Sequence, residues 1–400
     1  MPSDATSALI DRYLDESLLV KSIQRYARVP TEVPPGNETF MAPDDPKLVH
    51  YVQEVIRPDL ERRNGVNLID APLNNLIAAA GSGESGRSLL VMNYTPTQHN
   101  NLMDDPFSGQ ISSAAAYGRD EPAVFGQGVS QNKAHQAVMV AVLDMLQASG
   151  IELRGRLYWA VNNEGRSSHA CSDAILDTLP EAPEFGIIQI GTGLKVSLGN
   201  RGRVDVIVHV QGSASHSSEP ERGNNAIEGA SEVIQRLKSL SWTNSHPLLG
   251  GRHAVVYKVR YAPLAPHTLP SDAWLTIDRR LLPGDDPATA VSEIENVIGD
   301  LTPFQYSVEP DVMMLPALVD PGLDWVSSLE RAHQAASGSE PERVWGRGSF
   351  DAGGPCARGV PTVMYGASGG AGLLGEDFVV ISDVVAEARV LARLILEELS

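Results

Sequence analysis

Two kinds of hydrophobic spacing divide this chain. Short, nearly continuous apolar runs at Ser88 to Met92, Arg156 to Val161, Gly186 to Ile190 and Pro361 to Tyr365 predict strands covered on both faces, as in a parallel sheet. Between the first two lies Lys133 to Leu146, rich in Ala, Val, Met and Leu, which predicts a helix buried on most of its surface beside that sheet. From about Gly202 the pattern changes. Val204-Asp205-Val206-Ile207-Val208-His209-Val210 alternates with a period of two, as in a sheet with one wet face. A helix is predicted from Asn225 to Leu240, followed by strands at His253 to Tyr261, Ala273 to Arg280 and Phe304 to Glu309. Further helices are predicted over Gly322 to Ala336 and Val384 to Leu399, on either side of the last strand. The expected fold is α/β: a mainly parallel-sheet domain with helices on both faces, from residues 1–200 and 312–400, carrying an inserted α+β, ferredoxin-like domain at 201–311.

A chain of 400 residues that is 42% hydrophobic is long enough for two such cores. Lys and Arg total 31 against 50 acids, a formal net charge of −19, which argues against nucleic acid and anionic membranes as partners. Met1 to Thr6 lacks the basic and apolar regions of a signal peptide, and no apolar run approaches the ~20 residues that cross a bilayer, so a cytoplasmic location is expected. Cys171 and Cys356 are too few and too far apart for a disulfide framework or a CxxC site, and read as buried thiols.

Candidate chemistry concentrates between Val124 and Glu164. There a glycine-rich turn, Phe125-Gly126-Gln127-Gly128-Val129-Ser130-Gln131-Asn132-Lys133, leads into the buried helix, and Asn162-Asn163-Glu164-Gly165 follows a strand. No nucleophile elbow, P-loop or dinucleotide fingerprint is present. Three more segments fix the register: Asp105-Pro106-Phe107; Gly212-Ser213-Ala214-Ser215-His216-Ser217-Ser218 with Pro220 and Gly223-Asn224-Asn225-Ala226; and Asp278-Arg279-Arg280-Leu281-Leu282-Pro283-Gly284. In this order they resemble the M20 family of metallopeptidases and aminoacylases over nearly the whole chain. The resemblance implies that the inserted domain is a lid and dimerisation domain, and that the protein is a homodimer through it.

The resemblance also implies where a dinuclear zinc site would stand, and this chain departs from it. The family's His-x-Asp signature falls on Tyr94-Thr95-Pro96, its bridging Asp on Gln131, its general-base Glu on Asn163, the adjacent ligand Glu on Glu164, a further acidic ligand on Gln189, and its last His on or near Leu373. Only Glu164 keeps a carboxylate, and one carboxylate does not hold two zinc ions, so no metal and no cofactor are expected. Asp or Glu exchanged for Asn or Gln keeps size and hydrogen bonding without charge, so Tyr94, Gln131, Asn163 and Gln189 are expected to line a polar substrate cleft. His99, His135, His169 and Cys171 border the same segments, but their spacing fits no helical ligand pair and the histidines read as capping or surface groups.

Glu164 is the candidate general acid/base, with capping of a helix beginning near Ser167 and Ser168 as its other reading. The resemblance assigns His216 to oxyanion support in the partner subunit's site, the other reading being a cap on a serine-rich turn. His267 replaces the Asn of the family's Asn-x-x-Pro and is a second candidate stabiliser. The resemblance also implies that Arg280 grips a substrate carboxylate through two oxygens, the other reading being an ion pair at a strand end. In the loop Arg347 to Gly354, Asp351 and Gly353 are candidate substrate contacts, and its glycine pair allows close backbone approach. The expected function is a metal-independent enzyme acting on a small amino-acid-like or N-acyl substrate bearing a carboxylate or amide. The alternatives are a zinc amidohydrolase or peptidase with rearranged ligands, and a non-catalytic binding or scaffold protein.

Overall fold

The structure is a computed structural model and describes residues 3–33, 41–97, 103–164, 168–370 and 375–400. It divides into two units, one of Met1–Gly199, Leu318–Val344 and Gly354–Ser400, the other of Asn200–Ala317 and Trp345–Gly353. The 345–353 segment, expected with the larger part, thus groups with the smaller.

In chain order the principal strands are β1 (Val66–Ala71), β2 (Asn75–Ala80), β3 (Ser88–Tyr94), β4 (Gln110–Ser113), β5 (Pro122–Phe125), β6 (Arg156–Asn162), β7 (Phe185–Gln189), β8 (Val196–Asn200), β9 (Gly202–Gln211), β10 (Ala254–Ala262), β11 (Asp272–Leu281), β12 (Gln305–Met314), β13 (Thr362–Tyr365) and β14 (Phe378–Val380). The principal helices are α1 (Ser3–Tyr13), α2 (Glu16–Ala27), α3 (Ala134–Ser149), α4 (Ala170–Thr178), α5 (Ala226–Leu237), α6 (Pro287–Ile298), α7 (Asp324–Ser337) and α8 (Ile381–Leu399).

In the larger unit the sheet runs β1-β2-β6-β3-β7-β13-β8. The central pairs β6/β3, β3/β7 and β7/β13 are parallel. Their buried, nearly unbroken apolar sequences are the ones that signalled a covered sheet. The antiparallel β1/β2 hairpin was not foreseen. Its turn holds Leu73 and Asn74 at φ +65° and +57°, and a leucine carries no turn signal.

Helix α3 grows from a π-helical turn, Val129–Lys133, and packs α2 and α8 around it. Gly128 opens that turn at φ +83°, where an added Cβ would come within 2.2 Å of Thr97 Cγ2, so only glycine fits. Helix α2 is capped by Asp15, whose carboxylate accepts from the Leu18 N–H, and buries Leu19, Ile23 and Tyr26 at helical spacing. Of the two cysteines, Cys171 is buried, but Cys356 is only partly covered because its sulfur sits at a turn and accepts from the Thr362 N–H.

The smaller unit is an antiparallel sheet in the order β10-β11-β9-β12. The period-two stripe Val204, Val206, Val208 and Val210 turns inward with Leu275 and Ile277 against α5 and α6. β10 is an edge strand with Val255, Tyr257, Val259 and Tyr261 exposed. Among the described residues no helix is long and apolar enough to cross a membrane.

Candidate active site

Parallel pairing sets the carboxyl ends of β3, β6 and β7 side by side, with Tyr94 opposite Asn162 and Met92 opposite Ile188. Ligands of open α/β sheets bind at such ends. Four candidate residues of the larger unit, Tyr94, Asn163, Glu164 and Gln189, stand at or just beyond these strand ends. Tyr94 is buried, and its carbonyl accepts from Gln136 Nε2 at 2.9 Å. Asn163 is fully buried; its N–H donates to Asn75 Oδ1 at 3.0 Å and its Nδ2 to the Asn74 carbonyl at 2.5 Å, which leaves Oδ1 covered and unpartnered. Gln131 lies half-buried on the π-helical turn. Leu373 and His99 fall outside the described residues.

Glu164 follows the end of β6 and is half-buried. Its carboxylate accepts from the Cys171 N–H at 2.7 Å and from the Ser168 hydroxyl, so it caps α4. These two donors fix the orientation of the carboxylate.

Gln189 is placed differently from a cleft-lining side chain. It is fully buried, donates through Nε2 to Glu387 Oε1 at 2.7 Å, and accepts from Asn93 Nδ2 at 3.0 Å. Asn93 in turn accepts from Trp159 Nε1. Glu387, on α8, also faces His135 Nδ1 at 3.0 Å from both oxygens and accepts from the Ala367 N–H at 2.9 Å. The result is a closed network at zero exposure. His135, expected at a surface or cap, is therefore an interior hydrogen-bond partner of Glu387. His169, also expected there, is buried with its ring against Gly354.

The glycine-rich turn is held by a residue without any sequence signal, Asp377. Its fully buried carboxylate accepts from the Gly128 N–H at 2.6 Å and the Ser130 N–H at 3.1 Å. Burial pushes Asp377 up to about 6 against those hydrogen bonds. Lys133, equally buried, donates to the Val29 carbonyl at 2.7 Å; burial pushes it down to about 7, opposed by the charges of Asp377 and Glu32.

The remaining candidates belong to the smaller unit. The short strands Ser215–His216 and Thr268–Leu269 pair and bring the His216 and His267 rings to 6.1 Å between centroids. His216 is exposed, with Nδ1 2.7 Å from the Ser218 hydroxyl. His267 has φ +53°, a conformation in which Asn and His are enriched among residues other than glycine, which accounts for His at a position where the family has Asn. Arg280 grips Asp278 with Nε and Nη2, both at 2.7 Å, and keeps Nη1 covered without a partner. Burial and the charges of Arg280 and Arg347 lower neighbouring Arg201, so positive charge gathers here. Asp351 is buried, and an added Cβ on Gly353 would meet the Leu315 carbonyl at 1.9 Å, so that glycine serves close backbone packing.

Residues 198–304 match the M20 peptidase dimerisation domain. That stretch is about a quarter of the chain, and over it the protein is similar to the M20 peptidases. Similar proteins include the uncharacterized protein YgeY of Escherichia coli K12, 24% identical over 63% of this chain and 60% of that one, and the acetylornithine deacetylase of Proteus mirabilis, 28% identical over 42% and 41%. The matched stretches thus span less than two thirds of either relative. In fold it is similar to the M20 family metallo-carboxypeptidase Sso-CP2 of Sulfolobus solfataricus (TM-score 0.75, 14% identity, 94% of this chain and 98% of that one). It is also similar to human carnosine dipeptidase 1 (TM-score 0.73, 12% identity, 100% and 99%).

Three of the residues onto which the M20 resemblance maps a zinc pair are otherwise engaged. Gln189 has both ends of its amide engaged in the core, Asn163 supplies at most a neutral oxygen, and Glu164 holds a helix terminus. Among the described residues no group of three or more His, Cys, Asp or Glu is arranged to hold a metal ion.

Proposed function

We propose that this protein is a metal-independent enzyme that acts at an amide of a small amino-acid-like or N-acyl substrate, with Glu164 as general acid/base. The observation that carries this reading is the orientation of Glu164, whose carboxylate is pinned at the end of β6 by the Cys171 N–H and the Ser168 hydroxyl. In this role Glu164 takes the proton of the attacking nucleophile and returns it to the leaving group, so charge balances without a Lewis acid. The M20 resemblance gives oxyanion support to His216 of the partner subunit, with His267 beside it, and Arg280 is the proposed grip on a substrate carboxylate.

Metal content and one substitution test it together. Protein re-exposed to zinc, manganese and cobalt is expected to retain less than about a tenth of an equivalent by mass spectrometry. Glu164→Gln, which can still accept from the Cys171 N–H, is expected to lower kcat/KM on N-acetylornithine or a dipeptide by about a hundredfold. One or two equivalents of metal would return the protein to the zinc hydrolases. The engaged amides of Asn163 and Gln189 favour a second reading, a non-catalytic binding protein, which calorimetric binding without turnover would select.

The dimer is proposed to form along β10. Its exposed Val255, Tyr257, Val259 and Tyr261 and its unpaired backbone edge suit a second copy of the same strand. Light scattering is expected to give a dimer for the wild type and a monomer for Tyr257→Glu combined with Val259→Glu; an unchanged mass would place the interface elsewhere.

A further inference from the structure

A cavity of about 380 Å³ opens in the larger unit between α2, the Arg57–Glu61 helix and α3, and uses none of the residues at the strand ends. Its charged lining is Lys21, Arg25, Arg62 and Arg63 against Asp59 and Asp144, four positive groups and two negative, an excess of two positive charges. That excess stands out on a chain whose formal net charge is −19.

The negative groups in the cavity are already engaged. Asp59 is 1% exposed; its carboxylate takes Arg25 twice, Arg62, and the Tyr26 hydroxyl at 2.6 Å, while its carbonyl takes Arg63. Burial opposes the charge of Asp59, yet the donors of Arg25 and Tyr26 outweigh it and hold the carboxyl below its ordinary range. Asp144 is taken by Arg63 at 2.8 Å. Arg63, with only 8% of its side chain exposed, still keeps Nε covered and unpartnered. Asp59 thus fixes the guanidinium planes of Arg25 and Arg62 without neutralising the four cations. Guanidinium groups oriented in advance lose little freedom when they grip two oxygens.

We infer that this cavity binds a small dianion, the phosphoryl group of inorganic phosphate or of a small phosphate monoester. The charge excess of two matches a dianion. The volume lies at the lower end of the roughly 300–1,000 Å³ typical of small-molecule sites, which suits a phosphoryl group with a short organic part.

Isothermal titration of the full chain with inorganic phosphate and, separately, glycerol 3-phosphate at low ionic strength tests the inference, with chloride at matched ionic strength as the blank. Saturable uptake with a dissociation constant on the order of 1 mM is expected, weakening as salt is added. Lys21→Gln with Arg62→Gln removes two exposed cations and leaves the buried Arg63 in place, and circular dichroism checks that this variant is folded. It is expected to bind at least about tenfold more weakly. Equal affinity for phosphate and ester identifies the free ion as ligand, and an ester bound about tenfold tighter identifies a phosphorylated metabolite. No saturable uptake by the wild type up to about 20 mM, or unchanged affinity in the folded variant, overturns the site.

Discussion

Replacing Glu387 with leucine is expected to destabilise the protein by about 3–5 kcal/mol, because it leaves several buried polar groups without their acceptor at once. Glu387 is the hub of the interior network: it faces His135, accepts from Gln189 and from the Ala367 N–H, and none of these donors has access to water. Leucine fills much of the volume but accepts nothing, so two buried N–H donors and an imidazole lose their acceptor at once. Urea unfolding near pH 7 reads the effect. His135→Leu combined with Glu387→Leu is expected to recover part of the loss, since it removes both halves of the pair while stranding only Gln189 and Ala367. A loss below about 1 kcal/mol in the single variant would mean that water reaches the network and that its charges are shared with solvent.

The second large effect is on the pH dependence of stability and comes from Asp377 and Lys133. Asp377 is raised from 3.8 to about 6 in the folded state, so its contribution is greatest below the unfolded value and is lost as pH rises through 6. Lys133 is lowered from 10.5 to about 7, so its contribution is present at high pH and is lost as pH falls toward 7. Both are therefore at their least favourable between about pH 6 and 7, with Glu32 the other charge acting on Lys133. The stability of the wild type minus that of Lys133→Met with Asp377→Asn is expected to show a trough there. It should rise by about 2 kcal/mol toward pH 4.5 and toward pH 9, given 1.36 kcal/mol per pKa unit. A difference that is flat across this range, measured by chemical denaturation in a constant-ionic-strength buffer series, would show that the two groups are solvated in the native state.

Legibility in the sequence followed the range of the interactions. Val204 to Val210 betrayed its sheet because a strand with one wet face writes a period of two into its own residues, and β9 runs from Gly202 to Gln211 as a result. The buried helix was equally plain, since Ala, Val, Met and Leu fill every face of α3. Helix α2 carried a usable signal as well, with Asp15 as cap and Leu19, Ile23 and Tyr26 at helical spacing. What could not be read were partnerships across the chain. Glu387 lies within a helix that periodicity finds readily, but nothing nearby in sequence says that this acid turns inward, because its partner His135 is 252 residues away. Asp377 and the turn it holds are separated by 249 residues from Gly128, and that link too becomes visible only in three dimensions. The strand ends were located by the apolar runs before them, whereas the inward turn of Gln189 depended on a distant partner, Glu387; Glu164 took the helix-capping place that its neighbours in sequence had offered.

The bond from Gln189 to Glu387 also restricts which side chains position 189 can carry. An acidic side chain at position 189 would stand within hydrogen-bond reach of Glu387, and two carboxylates that close cannot both stay ionised in a dry interior. The order of substitutions that would place an acid at this strand end is thereby constrained. Glu387 must change before position 189 can, and that change alone strands His135. Introducing an acid there one residue at a time therefore passes through a less stable intermediate, and with Glu387 in place the fold favours a neutral side chain at position 189.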